Sequence, residues 1–153
     1  MLKTLAAYAG AVIGAFLLGS ILVTQFNLAQ VAGMGMDVTL AVRLQATLHD
    51  ISGLAGTYLP LIAVAFLIAL LVATGLLKVF PSQPQLLYLL AGGVALVALH
   101  MTMKAVLGLS GIAATRTLAG LLSQGLAGML GGYIFYRIRT GTADAGGVTN
   151  NPA

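Results

Sequence analysis

The chain has 153 residues and a mass of 15.5 kDa, with 59 % hydrophobic and 7 % charged residues, a mean hydropathy of +1.04 and a formal charge of +4. Seven Lys/Arg and three Asp/Glu cannot give so apolar a chain a solvated surface, since soluble domains carry roughly 25 % charged residues. The composition excludes a soluble fold and defines an integral membrane protein.

Whole classes of chemistry fall away with it. Without cysteine there are no disulfides, thiolate nucleophiles, iron–sulfur clusters or covalently attached haem. Two histidines and three acids are too few for a di-iron or multi-carboxylate centre. The cations stand singly at segment ends, where they set topology and meet anionic lipid head groups, so the positive charge does not point to nucleic acid.

In chain order, the first stretch of about 20 apolar residues, the length that crosses a membrane as helix, is residues 4–24, which contain no charge. Together with Lys3 it has the outline of a signal peptide. The apolar run is too long for one and no Ala-x-Ala site follows, so a retained span is predicted. The connection 25–51 is the longest. Gly33 and Gly35 break it, Asp37 is placed to cap a helix, and a helical period follows: Leu40, Leu44, Leu48 and Ile51 form one stripe, Thr39, Arg43, Ala46 and Asp50 another. This predicts a short amphipathic helix on the outer face, or an external extension of the second span.

The second span is residues 52–77, closed by Lys78. Pro60, with Gly53 and Gly56 before it, predicts a kink near its start. The turn 80–85 holds Pro81 and Pro84, which cannot continue a helix. A third span covers 86–108 and ends at Ser110-Gly111. The fourth covers 117–136 and is stopped by Arg137 and Arg139. The Gly/Thr/Asn-rich tail 140–153 is predicted to be disordered. The fold class expected is all-α: a polytopic four-transmembrane-helix bundle, one unit over 1–139, with a short external amphipathic helix between spans 1 and 2.

Four spans place both termini on one side, with Lys3, Lys78, Arg137 and Arg139. The other side holds Arg43, Lys104 and Arg116, partly offset by Asp37 and Asp50. The positive-inside rule then puts both termini in the cytoplasm of a bacterial inner membrane. Tyr8, Phe80, Tyr88, Tyr133, Phe135 and Tyr136 fall near the same boundary, where an aromatic belt is expected.

Helices in lipid associate through small residues that let backbones approach. The first span carries Ala7, Ala11, Ala15 and Gly19 beside Gly10 and Gly14; the second carries Ala65, Ala69 and Ala73; the fourth carries Ala119, Ser123, Ala127 and Gly131 beside Gln124, Gly128 and Gly132. Two adjacent small stripes on spans one and four exceed what a single antiparallel contact needs. They suggest a homo-oligomer or a place in a larger membrane complex.

Ionisable groups within a membrane are functional candidates by default. His100 lies in the outer half of the third span, with Lys104 one turn further out on the same face. Arg43, His49, Asp50 and Arg116 belong to the same side, and Gln124 lies about two turns in from Arg116. The structural reading has Lys104 snorkelling to the interface, Asp50 paired with Lys104 or Arg116, and a neutral His100 bonded to Gln124 or a serine. Two sharper readings compete with it. His49 and His100 could ligate a b-type haem whose propionates meet Arg43 and Arg116; alternatively, a quinone or lipid head group could sit against His100 and Lys104. A proton-coupled carrier would need ionisable groups in the cytoplasmic half, and none is found there.

No serine has a nucleophile-elbow context, and no phosphate loop or zinc spacing is present. The preferred function is therefore an accessory or assembly protein acting by interaction, in contact with membrane lipids and without a catalytic centre or cofactor of its own. A lipid- or quinone-binding membrane protein is the alternative, and a b-haem redox subunit the third.

Overall fold

The apolar runs fold as helices in the computed structural model, which describes residues 1–108 and 113–141. The five α-helices are α1 (Leu2–Gly33), α2 (Leu40–Ala55), α3 (Tyr58–Leu76), α4 (Pro84–Leu107) and α5 (Leu118–Thr140), with a 3₁₀ turn at Ala113–Arg116. No strand occurs among the described residues. Four helices, α1, α3, α4 and α5, are long and apolar enough to cross a membrane. Ser110-Gly111 and the tail from residue 142 onward lie outside the described residues.

Helix ends follow backbone chemistry more closely than hydropathy. The first helix runs nine residues past the expected boundary at Thr24, to Gly33. Residues 25–33 are more polar but contain no helix breaker until Gly33, and Gln, Leu and Ala favour helix whether or not lipid surrounds them. At 32 residues α1 is about 48 Å long, well beyond a ~30 Å hydrocarbon layer. Gly35, at φ +85°, then reverses the chain.

The N-cap of α2 is Thr39, not Asp37: Thr39 Oγ1 accepts from the Val42 amide at 3.3 Å. Residues 52–55, expected in the second span, belong instead to α2, and α3 begins afresh at Tyr58. Pro60 therefore falls in the first turn of α3, where backbone amides have no partner within the helix. It helps to open α3, and the kink expected of it is not required. Pro84 opens α4 in the same way, and Thr117 caps α5 by accepting from the Gly120 amide at 3.1 Å.

The fifth helix lies between its neighbours, packing on α4 along one side and on α1 along the other, with α3 against α4 and α1. Glycines make these approaches possible. A Cβ on Gly128 would overlap the Gly92 carbonyl oxygen, and one on Gly132 would overlap that of Tyr88. On the opposite side, a Cβ on Gly131 would come within 2.7 Å of both the Ala11 carbonyl oxygen and Phe66 Cζ. Gly10 faces Ile138 and Gly14 faces Ile134. Both small stripes of α5 and both of α1 thus meet helices of the same chain.

These contacts also order the ends. Gly10 opposite Ile138, and Thr74 beside Tyr88, bring the start of α1, the α3–α4 turn and the end of α5 together. The aromatics at this end form less of a belt than expected. Tyr88 and Phe135 are buried with ring centroids 5.0 Å apart, Arg139 donates to the Tyr88 hydroxyl, and Tyr8 donates to the Ala63 carbonyl at 2.6 Å.

The second helix shows an inverted amphipathicity. No residue of it is fully buried, yet the side turned to α1 is polar: Arg43 donates to Gln25 Oε1 at 2.8 Å, and Gln25 Nε2 donates to Thr47 at 3.2 Å. Its outer side is apolar, with Leu40, Leu44 and Leu48 each more than half exposed. Along α3, likewise, Val64, Ile68, Leu71 and Val72 face outward. An outward apolar surface is the arrangement lipid demands and water penalises.

If glycine is required for backbone approach, Gly128→Ala should cost about 1–3 kcal/mol through overpacking. Gly10→Ala, whose Cβ meets only side-chain methyls, Ile138 Cδ1 at 3.0 Å and Ile134 Cγ2 at 3.4 Å, should melt close to wild type. Thermal melts in one detergent decide between them, and equal melts would mean that the α4–α5 approach does not depend on Gly128.

Candidate functional site

The buried polar side chains Ser20, Thr24, His100, Ser123 and Gln124 all lie in the half of the bundle away from the start of α1 and the end of α5. At their centre is Tyr58, the first residue of α3, which is 2 % exposed. Its hydroxyl lies 2.8 Å from Gln124 Oε1 and 3.0 Å from His100 Nε2, while Gln124 Nε2 donates to the Gly19 carbonyl at 3.2 Å. A chain of three hydrogen bonds thereby joins α1, α5, α3 and α4.

The proton positions follow from the acceptors. The Gly19 carbonyl can only accept, so the amide nitrogen of Gln124 faces it and the amide oxygen faces Tyr58. Tyr58 has one proton, and Gln124 Oε1 can only accept it. His100 Nε2 therefore carries hydrogen and donates to the Tyr58 oxygen. Gly19 is glycine for the same reason, because a Cβ there would come within 3.0 Å of Gln124 Oε1 and 3.5 Å of the Tyr58 hydroxyl.

Against this network lies a cavity of about 200 Å³ between α4, the 3₁₀ turn and the start of α5. His100, Lys104, Thr115, Arg116 and Thr117 supply its polar lining, and Met101, Leu118 and Leu121 its apolar wall. No carboxylate is among the lining residues, so two cations face it without an acid. A much larger depression of about 690 Å³ between α3 and α4 is lined by aliphatic side chains apart from Thr102. It has no titratable group, and the Thr102 hydroxyl is the one polar side chain in its lining.

Of the residues singled out in the sequence, His100, Lys104 and Arg116 line one cavity, and Gln124 reaches it through Tyr58. The others do not join them. Asp50 Oδ2 accepts from Thr24 Oγ1 at 2.7 Å, and among the described residues no ion pair links Asp50 to Lys104 or Arg116. The expected staple across the polar end is replaced by an α1–α2 contact. Arg43 is held by Gln25, and His49 is exposed on α2. His49 and Arg43 do not line the cavity that His100 and Arg116 share, and His100 Nε2 is engaged by Tyr58, so the two histidines do not meet in one site.

Tyr58 escaped the sequence reading, although it is the one tyrosine distant from the Lys78/Arg137 end and stands beside Pro60 at a span boundary. Thr24 likewise stands at the boundary of the first apolar run. Hydroxyls at such boundaries carry no charge and no periodicity, yet here they hold the polar groups together.

No protein-family model, curated protein or solved structure matches this chain. Its class rests on the molecule itself: an all-helical protein with four helices able to cross a membrane and one polar, cation-lined cavity described at the end away from its termini.

Tyr58→Phe leaves the buried His100 Nε2–H and Gln124 Oε1 without their partner and should destabilise by about 1–3 kcal/mol. Ser20 Oγ, buried without a partner, offers the control: Ser20→Ala should be neutral or slightly stabilising. Denaturation of both variants in the same detergent gives the test. A Tyr58→Phe protein as stable as wild type would mean that the hydrogen-bond chain does not hold the four helices.

Proposed function

We propose that this chain is a multi-pass protein of a bacterial inner membrane, a four-span bundle with both termini cytoplasmic, which acts by binding a small amphiphilic or hydrophobic ligand and has no catalytic centre of its own. The observation that carries the reading is the cavity lined by His100, Lys104 and Arg116, where two cations face a polar recess bounded by apolar walls. Convergent polar groups beside an apolar wall are what orients a small ligand in such a site. The fixed hydrogen on His100 Nε2 holds its imidazole in one orientation, as a recognition group requires.

The orientation is supported by Lys3, Lys78, Arg137 and Arg139 at the end of the termini, against Arg43, Lys104 and Arg116 with Asp37 and Asp50 at the other. The leucine side of α2 turns outward. An external helix with that exposure is suited to lying in the interface with its leucines in the acyl boundary. A self-associating or assembly role is less favoured, because the small-residue stripes that suggested it are occupied by contacts within the chain.

A C-terminal alkaline phosphatase fusion should be inactive and a C-terminal fluorescent-protein fusion bright; the reverse pattern would overturn the orientation. Native mass spectrometry of protein extracted gently from bacterial membranes should show an added small-molecule mass. The Lys104→Ala/Arg116→Ala double variant should lose it while its melting temperature stays within a few degrees of wild type. Wild type and variant both emerging at bare chain mass would overturn the binding reading.

A further inference from the structure

We propose that the ligand is a phospholipid of net negative head-group charge, with its phosphate between Lys104 and Arg116 and one acyl chain laid along the groove between α4 and α5. The inference rests on the binding reading above and specifies its occupant. Lys104 and Arg116 face a cavity whose lining includes no carboxylate, so the site favours an anion. Thr117, the N-cap of α5, also lines it, and the positive end of a 23-residue helix adds to the same sign of potential.

The cavity also has an apolar continuation. A second depression of about 320 Å³ lies between the same two helices, with Gly93, Val94 and Val97 on one wall and Gly125 and Met129 on the other. Met101 and Lys104 continue the α4 stripe of Val94 and Val97 at three- and four-residue spacing, and Leu121 continues the α5 stripe of Gly125 and Met129. The cationic cavity and the apolar groove are therefore successive stretches of one furrow. From Leu118 to Met129 it runs eleven residues, about 16 Å, close to half of a ~30 Å hydrocarbon core and so to the depth of one leaflet.

Glycines let the walls of the furrow approach: a Cβ on Gly125 would stand 3.2 Å from Val97 Cγ2, and one on Gly93 would stand 2.8 Å from Met129 Cγ. A soluble anion would use the cations and leave the furrow unused. A zwitterionic phospholipid would bring its own ammonium toward Lys104 and Arg116, which an uncharged or anionic head group avoids.

The test titrates the purified protein in neutral detergent with phosphatidylglycerol, with phosphatidylethanolamine of the same chains, and with inorganic phosphate, counting adducts by native mass spectrometry. Phosphatidylglycerol should bind about tenfold more tightly than phosphatidylethanolamine, since both phosphates meet Lys104 and Arg116 but only the ethanolamine ammonium is repelled by them. Lys104→Ala/Arg116→Ala should abolish the difference. Val97→Phe, which fills the furrow and keeps both cations, should lower phosphatidylglycerol binding by a similar factor. Val94→Phe, at a position 65 % exposed, does the same from the outer edge if Val97→Phe fails to fold.

Millimolar inorganic phosphate should not displace the lipid. Displacement by phosphate together with unchanged lipid binding in both furrow variants would overturn the inference in favour of a free-anion site. Equal affinity for the two lipids would also overturn it. A native ligand that is neutral, such as a quinone, and is still lost from the Lys104/Arg116 variant would refute the phospholipid while leaving the binding reading intact.

Discussion

The contact on which the rest depends is the backbone approach of α5 to α4, where Gly128 and Gly132 stand against the carbonyls of Gly92 and Tyr88. Between membrane helices the hydrophobic effect supplies little, because a lipid tail is as apolar as a leucine. Close packing and short-range contacts must hold the helices, and a single Cβ at the contact would push them apart. Gly131, turned the other way toward Ala11 and Phe66, lets α1 and α3 close on the same helix. With α5 held on both sides, Gln124 is carried into the interior, where it is fully buried.

That burial makes the polar chain necessary. A side-chain amide removed from water must satisfy its donors and acceptor within the protein. Gln124 does so with Gly19 on one side and Tyr58 on the other, and Tyr58 passes the requirement to His100. Each acceptor dictates the next donor, so one glutamine orients a tyrosine and a histidine on two further helices. The 3₁₀ turn then places Arg116 on the cavity that His100 lines, and Lys104 follows one helical turn beyond His100. The cavity is a consequence of packing that begins two turns deeper in α5.

The two ends of the molecule manage charge differently. At the end of the termini, Arg139 lies 5.7 Å from the Tyr88 ring centroid and 5.8 Å from that of Phe135, and donates to the Tyr88 hydroxyl. A cation held over aromatic faces has its charge partly met by the rings. Lys104 and Arg116 at the opposite end have no such rings beside them in the cavity, which is lined otherwise by threonines, His100 and aliphatic residues. A cation over aromatic faces thus fixes a helix end on one side, whereas Lys104 and Arg116 line a cavity on the other.

The sequence alone determined that this is a helical chain with four membrane-length helices and that a helical period follows Gly35, while the break between α2 and α3 came from the structure. Those properties depend on composition and local periodicity, which lipid thickness and backbone hydrogen bonding read directly. It did not determine that Pro60 opens a helix, because that depends on where the preceding helix stops. Nor did it reveal that Asp50 answers to Thr24, or that the polar face of α2 turns inward. Tyr58 and the α4–α5 furrow were likewise decided only by tertiary structure. A hydrogen bond between residues 58 and 124, or a groove between Gly93 and Gly125, has no local signature: it exists only once the packing of α5 has set the distance between helices far apart in the chain.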